Sequence, residues 1–64
     1  MNKLFEKVIG YALFNDVSLN IAAHALLNIR SISSKEYNLV EAEGFELERH
    51  LLIIKDVLKR KYDT

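Results

Sequence analysis

Residues 33–58, SSKEYNLVEAEGFELERHLLIIKDVL, decide how the chain is read. Within them Tyr37, Val40, Gly44, Leu47, Leu51, Ile54 and Leu58 recur alternately three and four residues apart, the a/d seam of a helix that lays one stripe against a neighbour. Ser33 stands at the head of this seam with Glu36 three residues on. That spacing makes a capping box, in which each side chain accepts from the other residue's unpaired backbone N–H. The pattern predicts a helix from about residue 34 to about residue 61. Lys55, Lys59, Arg60 and Lys61 fall in its last turns, where the helix dipole favours cations.

The same rhythm runs upstream through Met1, Phe5, Val8, Ala12, Asn15, Leu19, Ala22, Leu26 and Ile29. Asn15 is the one polar member, and because the stripe keeps phase through it, a continuous helix from about residue 2 to about residue 31 is expected. Asn15-Asp16-Val17-Ser18 is also rich in capping residues, so a break there giving three helices is the alternative. Ser31-Ile32-Ser33-Ser34 is a connection of the length that joins antiparallel neighbours. The expected fold is thus all-α, a single domain over residues 1–64 forming an antiparallel hairpin of two long helices. Folded about that turn, Gly44 would lie near Ile21, and close backbone approach would explain a mid-helix glycine that otherwise costs roughly 1 kcal/mol. Asn15 would lie near His50.

Composition narrows the function classes. A chain of 64 residues permits a thin core, burying about 60% of its unfolded surface. Nine basic residues offset nine acidic ones, so there is no overall positive field to draw the protein to nucleic acid or an acidic membrane. Without cysteine, disulfides and thiolate metal sites are excluded, and a reducing cytoplasm suits the chain. The longest charge-free run, residues 17–29, contains Ser18, Asn20, His24 and Asn28 and is too short and polar to span a bilayer. Glu6 and Asp16 interrupt the apolar core that a signal peptide would need.

Two facing helices need one apolar stripe each. Leu13, Phe14, Val17, Ile21, Ala25 and Leu27 lie off the first stripe, and Leu39, Phe45, Leu52, Ile53 and Val57 lie off the second. Such a surplus marks an interface when it stays exposed, unless a third helix covers it. Phe14, Val17, Ile21, Phe45, Leu52, Ile53 and Val57 are the candidate partner-binding residues, with a protein or a second copy as the partner.

No residue pattern points to catalysis, a cofactor or a metal. His24, flanked by Ala23 and Ala25, lacks the charged neighbours of a phosphotransfer histidine and reads as a packed or partly exposed structural residue. His50 follows Glu46 by four positions, an ordinary surface pair. Glu41, Glu43, Glu46 and Glu48 read as a solvated face, on which helical geometry groups Glu41 with Glu48 and Glu43 with Glu46. A phosphate loop, a zincin motif and a nucleophile elbow are all missing. A helix-turn-helix over residues 19–41 fails because Leu27 stands where a turn glycine is wanted, and Lys35 is the sole basic residue of the recognition helix before Arg49.

From the turn onward the chain resembles the small co-chaperones of type III secretion needle subunits (the YscE, PscE and SsaE type). The matching features are Tyr37 in Ser34-Lys35-Glu36-Tyr37, Leu47-Glu48 ten residues on, and the branched pair Ile53-Ile54. This resemblance, over about residues 34–58, implies a helical hairpin without enzymatic activity. Its partners would be a helical-repeat chaperone and a needle subunit kept from polymerising in the cytoplasm. Gly44-Phe45-Glu46-Leu47-Glu48 is similar, at Glu-Leu alone, to the Ser-Gln-Glu-Leu-Asp hallmark of two-helix aspartyl-phosphate phosphatases; that likeness would place Glu46 and Glu48 at a response regulator's phosphoryl site. A third class, a phage or mobile-element regulator binding a host protein, would use the same apolar surface.

Overall fold

A computed structural model of the chain describes residues 3–62; Met1, at the head of the first stripe, lies outside them. The described residues are all-helical, with α1 Lys3–Asn15, α2 Leu19–Asn28, α3 Ser34–Ala42 and α4 Gly44–Tyr62. Both long helices of the expected hairpin are divided, and the three-helix alternative accounts for one of the two breaks.

The first break falls at Asn15. The Asn15 side-chain amide donates to the Tyr11 carbonyl at 3.0 Å, and Asp16 turns into the left-handed region at φ 54°. The Val17 N–H then reaches back to the Ala12 carbonyl (3.1 Å) and the Asp16 N–H to that of Leu13 (3.4 Å), the paired bonds of a Schellman closure. Ser18 opens α2 by accepting from the Ile21 N–H at 3.2 Å. Asp16 thus closes α1 through its backbone and Ser18 caps α2 through its side chain, an outcome that the unbroken phase of the stripe concealed. Asn15 bonds within its own helix and has no tie to His50.

The same closure ends α2. Arg30 is left-handed at φ 60°, the Arg30 N–H donates to Leu27 (3.0 Å) and the Ser31 N–H to Leu26 (2.9 Å). Ile32 follows and is buried. The capping box forms as read: the Glu36 N–H donates to Ser33 Oγ (3.1 Å) and the Ser33 N–H to Glu36 Oε1 (2.8 Å). Lys7 Nζ donates to the Ser31 carbonyl at 3.1 Å, tying α1 to this connection.

The second break is a bend rather than a loop. Glu43 alone separates α3 from α4, and helical bonds continue on both sides of it, Glu43 N–H to Leu39 O (3.1 Å) and Leu47 N–H to Glu43 O (3.0 Å). Gly44 starts α4 with no atom within 4 Å of the place a Cβ would take, so close backbone approach to Ile21 is not its explanation. Glycine instead permits the bend by lowering local helix propensity. Since its φ is not positive, Gly44→Ala is expected to raise the urea midpoint by an amount worth about 0.5–1 kcal/mol; a loss of stability would mean the site is less open than it looks.

α2 packs against each of the other three helices, and α4 packs against α1, α2 and α3. The core joins Val8, Ile9 and Ala12 of α1, Leu19, Ala22, Ala23 and Leu26 of α2, Ile32, Val40 of α3, and Leu47 and Leu51 of α4. No charged or polar residue is buried among the described residues. Two dividing corners therefore gather α1, α2, α3 and the first half of α4 round one apolar centre, which a straight pair of rods would have spread along a thin seam.

Candidate functional site

Extra corners cover part of the apolar surplus. Leu13, Val17 and Leu27 pack against the core, so Val17 belongs to the fold rather than to an open surface. Phe14 at the end of α1 is 91% exposed and Phe45 at the start of α4 is 82% exposed. Ile21, Leu39, Leu52, Ile53 and Val57 are exposed as well. Phe14 and Ile21 are not drawn together with the α4 side chains into one cleft: the cleft that Ile21 lines is completed by Asn20, His24, Ala25 and Asn28, all of α2.

α4 carries the dense part of this surface. Leu47 and Leu51 face inward, and Ile54 packs beside them. Leu52 and Phe45, seven positions apart, share a second side of the helix, while Ile53 and Val57 share a third. α4 is thus covered along its inward stripe at Leu47 and Leu51 and leaves Phe45, Leu52, Ile53 and Val57 uncovered. Its charges alternate with these residues and are held along the helix, Arg49 to Glu46 at 3.6 Å and Arg60 to Asp56 at 2.8 Å. Glu46 thus pairs with Arg49, not with the expected His50. Such exposed pairs contribute little, on the order of 0.3–0.5 kcal/mol each.

Where α2 meets the α3–α4 bend there is a cleft of about 250 Å³ lined by Leu19, Ala23, Val40, Gly44 and Leu47, with Asn20, Glu41 and Glu48 also lining it. Glu41 and Glu48 share this edge, as their spacing anticipates. Among the described residues no group of three or more acidic, histidine or cysteine side chains is placed to hold a metal ion, and no helix is long and apolar enough to cross a membrane.

One polar chain links α2 to α3. Tyr37 Oη donates to Glu41 Oε1 (3.2 Å) and lies 2.5 Å from His24 Nε2. A phenol has one proton to give, so with that proton on Glu41 the His24 Nε2 must be the donor to Tyr37. The two rings meet edge to face, centroids 5.1 Å apart, and His24 is itself exposed; its tyrosine partner, thirteen positions away, carries no local sequence signal. Burial, then the Glu41 hydrogen bond and negative charge, push the Tyr37 phenol above its ordinary value of 10.0. A raised phenol stabilises the fold below that ordinary value, and the contribution is lost as pH rises through the folded value. Alkaline absorbance titration is expected to find Tyr37 ionising above its ordinary value, and Glu41→Gln to bring it back down; an unchanged curve would show that Glu41 does not hold the phenol.

Compared with known proteins, the chain matches no family model, no curated protein and no solved structure.

Proposed function

We propose that this chain is a protein-binding module without enzymatic activity, acting in the cytoplasm, whose contact surface is the outer side of α4. The observation that carries this reading is that α4, covered along its inward stripe alone, leaves the large apolar side chains Phe45, Leu52, Ile53 and Val57 exposed. Phe14 and Ile21 extend the apolar surface on α1 and α2. The narrower form of the reading, a co-chaperone that holds a secretion needle subunit together with a helical-repeat chaperone, draws on the resemblance across residues 34–58. The two-helix hairpin implied by that resemblance is divided here at residues 16–18 and at Glu43.

Co-purification of the full chain from its host tests the reading and identifies the partner. Wild type is expected to retain a stoichiometric protein partner, and Leu52→Asp to lose it. Because Leu52 is exposed, the substitution should cost the fold only about 0.5 kcal/mol, leaving the circular dichroism spectrum unchanged. A helical-repeat chaperone with a needle subunit supports the narrower form; a replication, polymerase or kinase component supports a regulator of a host protein. A wild-type chain that is a well-folded monomer, retains nothing and is indifferent to Leu52→Asp overturns the assignment.

A further inference from the structure

We infer that the outer side of α4 pairs with α4 of a second copy of this chain, antiparallel, about a two-fold axis passing between Leu52 and Ile53. The inference rests on the protein-binding reading and commits it to one occupant. Phe45, Arg49, Leu52 and Asp56 follow one another at helical spacing, and Ile53 and Arg60 lie one turn beyond Arg49 and Asp56 on the adjoining edge, so the six form one continuous outer face. The four apolar or acidic and basic groups that matter most, Leu52, Ile53, Arg49 and Asp56, are all exposed.

Charge complementarity selects the occupant and its direction. In an antiparallel pair each residue stands opposite the one equally far beyond the axis, and symmetry makes every pairing occur twice. Leu52 then meets Ile53 of the second copy, Arg49 meets Asp56, and Phe45 meets Arg60, which can lie over its ring as a cation. Glu46 falls opposite Lys59 at the margin. The wider charge distribution agrees: residues 36–48 hold Glu36, Glu41, Glu43, Glu46 and Glu48 and no basic residue, while Lys55, Lys59, Arg60 and Lys61 crowd the other end of α4. A parallel pair would set Arg49 against Arg49 and Asp56 against Asp56, an arrangement that like charges penalise. The bonds that Arg49 and Asp56 make in the single chain are exposed and along their own helix, so they hold these groups on the outer face without closing it.

A helix of 19 residues is about 28 Å long, and one such pair buries less than the roughly 800 Å² per partner of a standard interface. The dimer is therefore reversible and concentration-dependent. Sedimentation equilibrium of the full chain tests it, with Arg49→Asp, Asp56→Arg and the double variant. Each single reversal creates two like-charge contacts and is expected to weaken association about tenfold or more, with the double variant returning to within about threefold of wild type and added salt weakening wild type. Circular dichroism should be alike for all four proteins. Wild type that stays monomeric at its highest soluble concentration, single reversals without effect, or a double variant that is not rescued would each overturn the inference. If the chain is monomeric but Leu52→Asp still abolishes capture of a host protein, the second copy is excluded and the protein-binding reading stands; if neither measurement responds to the α4 variants, both fall.

Discussion

Truncating Leu51 to alanine is expected to leave the chain largely unfolded at room temperature. Leu51 is 1% exposed and sits on the inward side of α4, in the core shared with α1 and α2. Removing a buried leucine beyond its Cβ costs about 2–5 kcal/mol, while the core of a domain this small supplies no more than about 3–5 kcal/mol of net stability. The substitution thus consumes most of the margin, and loss of the helical circular dichroism signal without denaturant is the measurement. The next residue, Leu52, is 56% exposed, and its replacement acts on assembly instead. Two adjacent leucines of like composition therefore separate folding from binding, and a Leu51→Ala chain with an ordinary urea transition would show that α4 does not hold the core.

Ala22→Leu is expected to be nearly as damaging for the opposite reason. Ala22 and Ala12 are each 0% exposed and Ala23 2%, so small side chains let α2 approach its neighbours closely. α2 packs on α1, α3 and α4 together, so shifting it to admit a larger side chain disturbs all three contacts. Overpacking of this kind costs about 1–3 kcal/mol, which at about 4–8 °C per kcal/mol for a domain of this size is a large fall in the thermal midpoint. A leucine tolerated without loss would reveal an unfilled void beside Ala22.

How far these features can be read from the residues depends on how local their causes are. The Ser33–Glu36 box is complete within four positions, and its bonds form as read. The break at residues 16–18 had equally local signals in Asn15 and Ser18, but a three-residue corner happens to preserve the phase of the apolar stripe, so periodicity argued for continuity. The bend at Glu43 is harder to see, because Gly44 stays in helical conformation and the backbone bonding runs on past it. The surplus on α4 was legible, since Phe45, Leu52, Ile53 and Val57 fall off the inward seam and are exposed. Leu13, Val17 and Leu27 count as surplus on a two-helix hairpin, yet the additional corners turn them towards the core. The bond between His24 and Tyr37 depends on how α2 and α3 pack, which no local pattern encodes.

The residues that occupy the two left-handed corners have a consequence for how the molecule can change. Asp16 and Arg30 adopt a backbone handedness that disfavours a side chain by roughly 1–2 kcal/mol each, with aspartate less penalised than arginine. Glycine in their place would remove that strain from the native state, although it would also widen the unfolded ensemble. The tightness of this small fold is accordingly limited by what stands at its hinges as well as by the size of its interior. Robustness remains open to it through substitutions that touch neither the apolar centre nor the outward side of its longest rod.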